Sequence, residues 1–226
     1  MSKTSQENFL NQPYESCRPM ISIGPPGSGK SWILTHALKY WLKHNTFDQY
    51  HLVLPAYKFE QKGSYNFLKE HEKKPWMCIY DQYSPIVVQQ LIKQGEIEDE
   101  KKKKRVLFVM DDCTVQAKDL MYSPELVKLC VMCRHYQIHT WLLAHAGKAV
   151  VPVKCRNQLK FVFLYDIPPP LLETCYKEFV DDNDFKNFRA FEEYWYNEVQ
   201  PKKHCCLFLD KMNKEYCDIV NEWWKQ

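Results

Sequence analysis

The sequence predicts an α/β fold in three layers, with a mostly parallel central sheet covered by helices on both faces. Three observations lead there. A short apolar run, RPMISI (18–23), enters the glycine-rich octapeptide GPPGSGKS (24–31), which opens a segment with apolar residues at helical spacing. Six further runs of nearly continuous apolar residues follow, most of them separated by helical patterns; strands buried on both faces need that composition, whereas a half-exposed sheet would alternate. One of those runs, VLFVMDD (106–112), ends in two acids.

In chain order, the first 17 residues are polar and lack a basic-then-apolar leader pattern. From Lys30 to about His44 a helix is predicted, because Ile33, Leu34, Ala37, Leu38, Trp41 and Leu42 share one face. Strands are expected at 50–55, 76–80, 105–110, 138–144, 159–165 and 204–209. The run EIEDEKKKKR (96–105) reads as a solvated loop; a DNA-touching loop is the alternative, since the positive charges of residues 101–105 could neutralise phosphates but are partly cancelled by Glu96, Glu98, Asp99 and Glu100. Prolines at 168–170 and the Asp/Asn-rich stretch 181–184 mark turns, and Trp223 and Trp224 are expected to pack as helix residues. There is no internal repeat, so the expectation is one domain over 1–226, with a core of about 18–165 and a helical and stranded extension over 166–226.

Composition narrows the setting. A chain of 226 residues can bury one sizeable core without staples, so its 10 irregularly spaced cysteines predict reduced thiols and not a disulfide framework. No apolar run approaches the roughly 18 residues needed to cross a bilayer, and a soluble, intracellular protein is expected. A formal charge of +3 is too small for DNA binding by bulk charge, so any such contact must come from local patches or from several copies together.

The octapeptide fits G-x-x-x-x-G-K-[ST]. Gly24, Gly27, Ser28 and Gly29 form a loop whose backbone can approach phosphates at a helix N-terminus, Lys30 can reach the outer phosphates, and Ser31 can ligate Mg²⁺. Trp32, the next residue, is the last candidate nucleotide contact. Asp111, at the end of a buried strand, is placed to orient Mg²⁺, and Asp112 to polarise an attacking water. Cys130, Cys133, His135 and His139 have zinc-like residue types, but their spacing lacks the long loop between ligand pairs and predicts packing. Cys205 and Cys206 are likewise expected to pack in a strand.

Many nucleotide-binding proteins share such a loop and acid pair. The segment RHYQIHTWLLAHAGKAVVPVKCRN (134–157) separates them. Together with GPPGSGKS and VLFVMDDC it resembles the FtsK–HerA superfamily of P-loop NTPases (RecA/ASCE-like), and within it the genome-packaging ATPases of poxviruses, other large DNA viruses and virophages. The resemblance runs from Arg18 to about Tyr165. It implies ATP and Mg²⁺ as ligands and a strand between the two nucleotide-site strands that ends in a polar sensor. It also implies an arginine that serves the neighbouring subunit's site, in a ring, by family pattern a hexamer, that pumps double-stranded DNA. His145 takes the sensor position, where the family usually has Gln. Arg134 takes the trans-acting position, with Arg156 in reserve; a helix-end arginine is the plain alternative for Arg134. Capsid proteins and a viral assembly site in the host cell follow from the same likeness. A small-molecule kinase and a non-hydrolysing assembly component remain the rival functions.

Overall fold

The computed structural model describes residues 3–11, 17–55, 57, 63–112, 120–145, 152–180, 185–202, 205–211 and 215–217. The stretch 181–184 and Trp223 and Trp224 lie outside them. The elements run α1 (Lys3–Asn11), β1 (Met20–Ile23), α2 (Lys30–Lys43), β2 (Gln49–Val53), β3 (Met77–Tyr80), α3 (Pro85–Gly95) and β4 (Val106–Met110). They continue with α4 (Pro124–Tyr136), β5 (Ile138–Ala144), α5 (Val153–Arg156), β6 (Phe161–Tyr165), α6 (Pro169–Phe179), α7 (Phe188–Tyr194), β7 (Cys206–Asp210) and β8 (Glu215–Cys217).

All eight strands form one sheet in the order β3-β2-β4-β5-β1-β6-β7-β8. The first six are parallel to their neighbours, and β7 and β8 continue antiparallel. The mostly parallel three-layer expectation therefore holds. Alternation explains the continuous apolar runs: in β4, Val106, Phe108 and Met110 enter one core while Leu107 and Val109 enter the other. Helices α3, α4 and α6 cover the first face; α2 covers the second through Ile33, Leu34, Ala37, Leu38 and Trp41.

The second face holds an element that the polar N-terminal segment hid. Helix α1 plants Phe9, fully buried, among the rings of Trp41, Trp141, Phe161, Phe163 and Phe208, at centroid distances of 5.3–6.1 Å. The indole Nε1 of Trp41 donates to the Leu10 carbonyl at 2.8 Å and fixes α1 on α2.

The charged run at 96–105 needs one correction. It contains a single 3₁₀ turn, Glu100–Lys102, capped by Asp99, and most of it is solvated. Lys103 is not: its side chain is 8% exposed, because Nζ donates to the His135 carbonyl at the end of α4. A cation held on the last carbonyls of a helix also meets the negative end of the helix dipole.

Candidate nucleotide site

The site begins with three strand ends at one edge of the sheet. β5 lies between β1 and β4, so the segments leaving their carboxyl ends are neighbours. The ladder continues into them: Gly24 N donates to Ala144 O at 3.2 Å, and Asp111 N to Val53 O at 3.0 Å. Trp141 Nε1 donates to Ser22 Oγ at 3.0 Å, pinning β5 to β1 beneath the loop.

Gly24 must be glycine because a Cβ there would lie 2.6 Å from both Cβ and the carbonyl oxygen of Tyr165. Gly29 ends the loop at φ 110°, a left-handed conformation that puts the chain into α2 in one step. The first turn of α2 then presents amide N–H groups without intrahelical partners, at the positive end of its dipole. Lys30 Nζ folds back to donate to the Gly24 and Pro25 carbonyls, each at 2.7 Å. Burial lowers its pKa, and the charges of Asp111 and Asp112 oppose that shift. A phosphate would offer this ammonium a charge-assisted partner stronger than a neutral carbonyl.

Asp111 sits 7% exposed at the base of the site. Ser31 Oγ donates to its Oδ2 at 2.8 Å, and the hydroxyl of Tyr65 donates to the same oxygen. Burial raises the Asp111 pKa; the two hydroxyl donors and Lys30 pull it back, while Asp112 adds to the rise. A hydroxyl and a carboxylate oxygen already in contact make an oxygen-only donor set, which suits Mg²⁺. Two buried polar atoms at this edge, Ser28 Oγ and His145 Nδ1, lack hydrogen-bond partners, as fits a place built to receive further polar groups.

Asp112 points outward with its side chain 58% exposed, at φ 52°, and His145 Nε2 meets its Oδ1 at 2.6 Å. Lys30, Ser31, Asp111, Asp112 and His145 are thus brought together. Trp32 is 40% exposed and lies against the His36 ring at a centroid distance of 3.9 Å, on the outer side of α2.

The two arginines fall elsewhere. Arg134 is exposed in the last turn of α4, and the seven residues of β5, about 23 Å of strand, separate it from His145. It cannot serve its own chain's loop. Arg156 ion-pairs with Glu178 on α6. Cys130 and Cys133 are buried on α4, whereas His139 lies with Trp141 and Leu143 on the opposite face of the sheet, its ring 5.1 Å from Phe47. Cys130, Cys133 and His139 are buried as packing requires, whereas His135 is exposed at the end of α4. Cys206 packs in β7 as expected, but Cys205 precedes the strand and is half-buried.

Tyr65 is the site residue that the sequence reading missed. It lies between β2 and β3, in a segment without periodicity, and only the fold carries it to Asp111. Tyr65→Phe is expected to cost about 1–3 kcal/mol by stripping a buried carboxylate of one donor. In a double-mutant cycle read by denaturant unfolding, that cost should largely vanish in an Asp111→Ala background, which has no side-chain acceptor for the hydroxyl; an undiminished cost would place the effect in ring packing.

The profile of the family described as Poxvirus A32 protein matches residues 1–175. The chain belongs to that family. Its fold is also that of the genome packaging NTPase B204 from Sulfolobus turreted icosahedral virus 2, solved with ATP-gammaS, at a TM-score of 0.62 and 13% identity, covering 90% of this chain and 97% of that one. B204 from Sulfolobus Turreted Icosahedral Virus, described as a DNA-packaging ATPase, aligns at a TM-score of 0.63 and 15% identity over 89% and 96% of the two chains. EssC (ATPases 2 and 3) from Geobacillus thermodenitrificans aligns at 0.53 and 13%, over 91% of this chain and 39% of that one. No curated protein matches in sequence. Family membership bears out the likeness to viral packaging ATPases seen in the motifs, and no helix among the described residues is long and apolar enough to cross a membrane.

Proposed function

We propose that the chain hydrolyses ATP and uses the energy to drive double-stranded DNA into a viral particle, acting as a ring of copies, six by family likeness. The observation that carries the hydrolytic part is the meeting of Lys30, Ser31, Asp111, Asp112 and His145 where β1, β5 and β4 end. Membership of the poxvirus A32 protein family supports the DNA-pumping part.

In this reading the loop Gly24–Gly29 and the first turn of α2 hold the phosphates. Lys30 leaves its carbonyl partners to neutralise charge on the outer phosphate. Ser31 and Asp111 would hold Mg²⁺, which when bound offsets the negative charge of the phosphate chain. Tyr65 keeps the Asp111 carboxylate turned toward Ser31. Asp112 takes the proton of the attacking water, and His145 orients Asp112 through the bond at 2.6 Å. Arg134 of one copy enters the neighbour's site, so turnover depends on assembly. Arg156, already matched to Glu178, is the weaker candidate for that role. Capsid proteins at a viral assembly site complete the set of partners.

The test is the ATPase rate of the full chain, with and without long duplex DNA, across protein concentrations. A rate per chain that rises with concentration and with DNA is expected, and Lys30→Ala and Arg134→Ala should each abolish it. Mixing the two variants should restore part of it, because one interface in the mixture keeps both residues. A concentration-independent rate, or mixtures as inert as their components, would remove the shared site.

A further inference from the structure

Four buried cysteines meet in two pairs along α4, and the nucleotide site uses none of them. Cys133 Sγ donates to the Cys17 carbonyl at 3.3 Å, and the two thiols also hydrogen-bond to each other. Cys130, one turn back on α4, meets Cys155 of α5, whose Sγ donates to the Leu126 carbonyl at 4.0 Å. All four are free thiols, none more than 1% exposed. The fold accounts for the first pair. Continuing the register of Met20 on Trp141 brings Cys17 level with Ile138, the first residue of β5, and Gln137, left-handed at φ 58°, turns α4 straight into that strand. Cys133, in the last turn of α4, therefore meets the segment entering β1, although 116 positions separate it from Cys17.

Their surroundings set the two pairs apart. The Cys17 thiol holds the Cys133 thiol below its ordinary value; burial opposes that fall, and the positive charges of Arg18 and Arg134 add to it. Burial, and then Cys133, push Cys17 well above its ordinary value. One sulfur of the pair thus gives up its proton readily and the other keeps it, the division that an attacking thiolate and its resolving thiol need. Cys130 is pushed well up by Cys155 and by burial, which leaves that pair inert.

We propose that Cys17 and Cys133 are a redox modification site, a thiol pair that peroxide converts reversibly to a disulfide while Cys130 and Cys155 stay reduced. The Cys133 thiolate attacks one oxygen of hydrogen peroxide; the O–O bond breaks, hydroxide leaves, and a sulfenic acid remains. The Cys17 sulfur then attacks the Cys133 sulfur, and the sulfenic hydroxyl leaves as water with the Cys17 proton. In sum, two thiols are oxidised and one peroxide is reduced to two waters. Because both sulfurs are buried, peroxide reaches them only when the last turn of α4 opens, so the reaction runs over hours. The bond ties that turn, which carries Arg134, to the entry of β1. It forms at the opposite end of β1 from the phosphate loop and needs no nucleotide.

The experiment treats the full chain, freed of reductant, with hydrogen peroxide and then blocks the remaining thiols with N-ethylmaleimide in urea. Peptides are read unreduced by tandem mass spectrometry, which tells Cys133 from Cys130 within one peptide. A peptide pair joined through Cys17 and Cys133, lighter than its parts by two hydrogens, should accumulate and disappear with dithiothreitol. Cys130 and Cys155 should both carry maleimide. In Cys17→Ser the sulfenic acid has no resolving thiol, so dimedone should trap it on Cys133; in Cys133→Ser, Cys17 should stay reduced. The wild-type arm needs neither variant to fold. A chain with no Cys17–Cys133 link after hours in peroxide, a Cys130–Cys155 link formed as fast, or cross-links only between copies would overturn the site.

Discussion

Asp112→Asn is expected to lower the turnover number at least about 100-fold, the span of one lost general base, while ATP affinity stays within a few-fold of wild type. The two neighbouring acids divide the work by environment. Asp111 is 7% exposed and receives Ser31 and Tyr65 on one oxygen, which turns it inward to the place proposed for Mg²⁺. Asp112 follows it in the left-handed region, which swings its side chain out of the strand, 58% exposed, toward the space in front of the loop. Asn preserves the shape and tolerates that backbone conformation, but its amide cannot take a proton. Fold and phosphate binding should survive and chemistry should not. Lys30→Ala serves as the contrast, since it removes charge from both the bound and the reacting phosphate and should damage affinity and turnover together. Steady-state rates, paired with calorimetric ATP binding, separate the two patterns. Turnover of Asp112→Asn within a few-fold of wild type would move the base role away from this acid.

How much of this could be read from the chain depends on how local each signal is. The seven apolar runs were legible as strands because a strand buried on both sides leaves little room for polar interruption; the structure keeps the bounds of β5 and moves the ends of the others by one or two residues, lengthening β2 and β7 at one end. The loop was legible because Gly24, Gly29, Lys30 and Ser31 fit one phosphate-loop pattern within eight positions. Strand order is a different kind of fact. Nothing within VLFVMDD or HTWLLA says that β5 intervenes between β1 and β4; only family resemblance suggested it. Tyr65 had no local signal at all, being one aromatic in an aperiodic stretch between β2 and β3. The same holds for the contact of Cys17 with Cys133, which the parallel pairing of β1 with β5 brings about. Arg134 was legible as a candidate, and its place at the far edge of the sheet is what makes a role within its own chain impossible.

Phe9→Ala should destabilise the protein by about 3–5 kcal/mol, a large share of the 5–15 kcal/mol that holds a typical domain. The surrounding sequence, KTSQENFLN, has only Phe9 and Leu10 as apolar residues, and its polarity hides a docked helix. Yet one side chain reaches five aromatic rings from α2, β5, β6 and β7, and edge-to-face contacts with four of them add to the area it removes from water. Those rings belong to stiff elements held by the sheet, so they cannot collapse into the space that alanine would leave, which puts the cost at the upper end for a lost phenyl group. Phe9→Leu should recover part of it. Denaturant unfolding, with the midpoint falling and the slope unchanged, is the measurement. An effect under about 1 kcal/mol would mean that α1 does not dock in solution. The consequence reaches the site: Trp41, on which Phe9 rests, is on the same helix as Lys30 and Ser31, so a loosened α1 should also weaken ATP binding without touching a single residue of the loop.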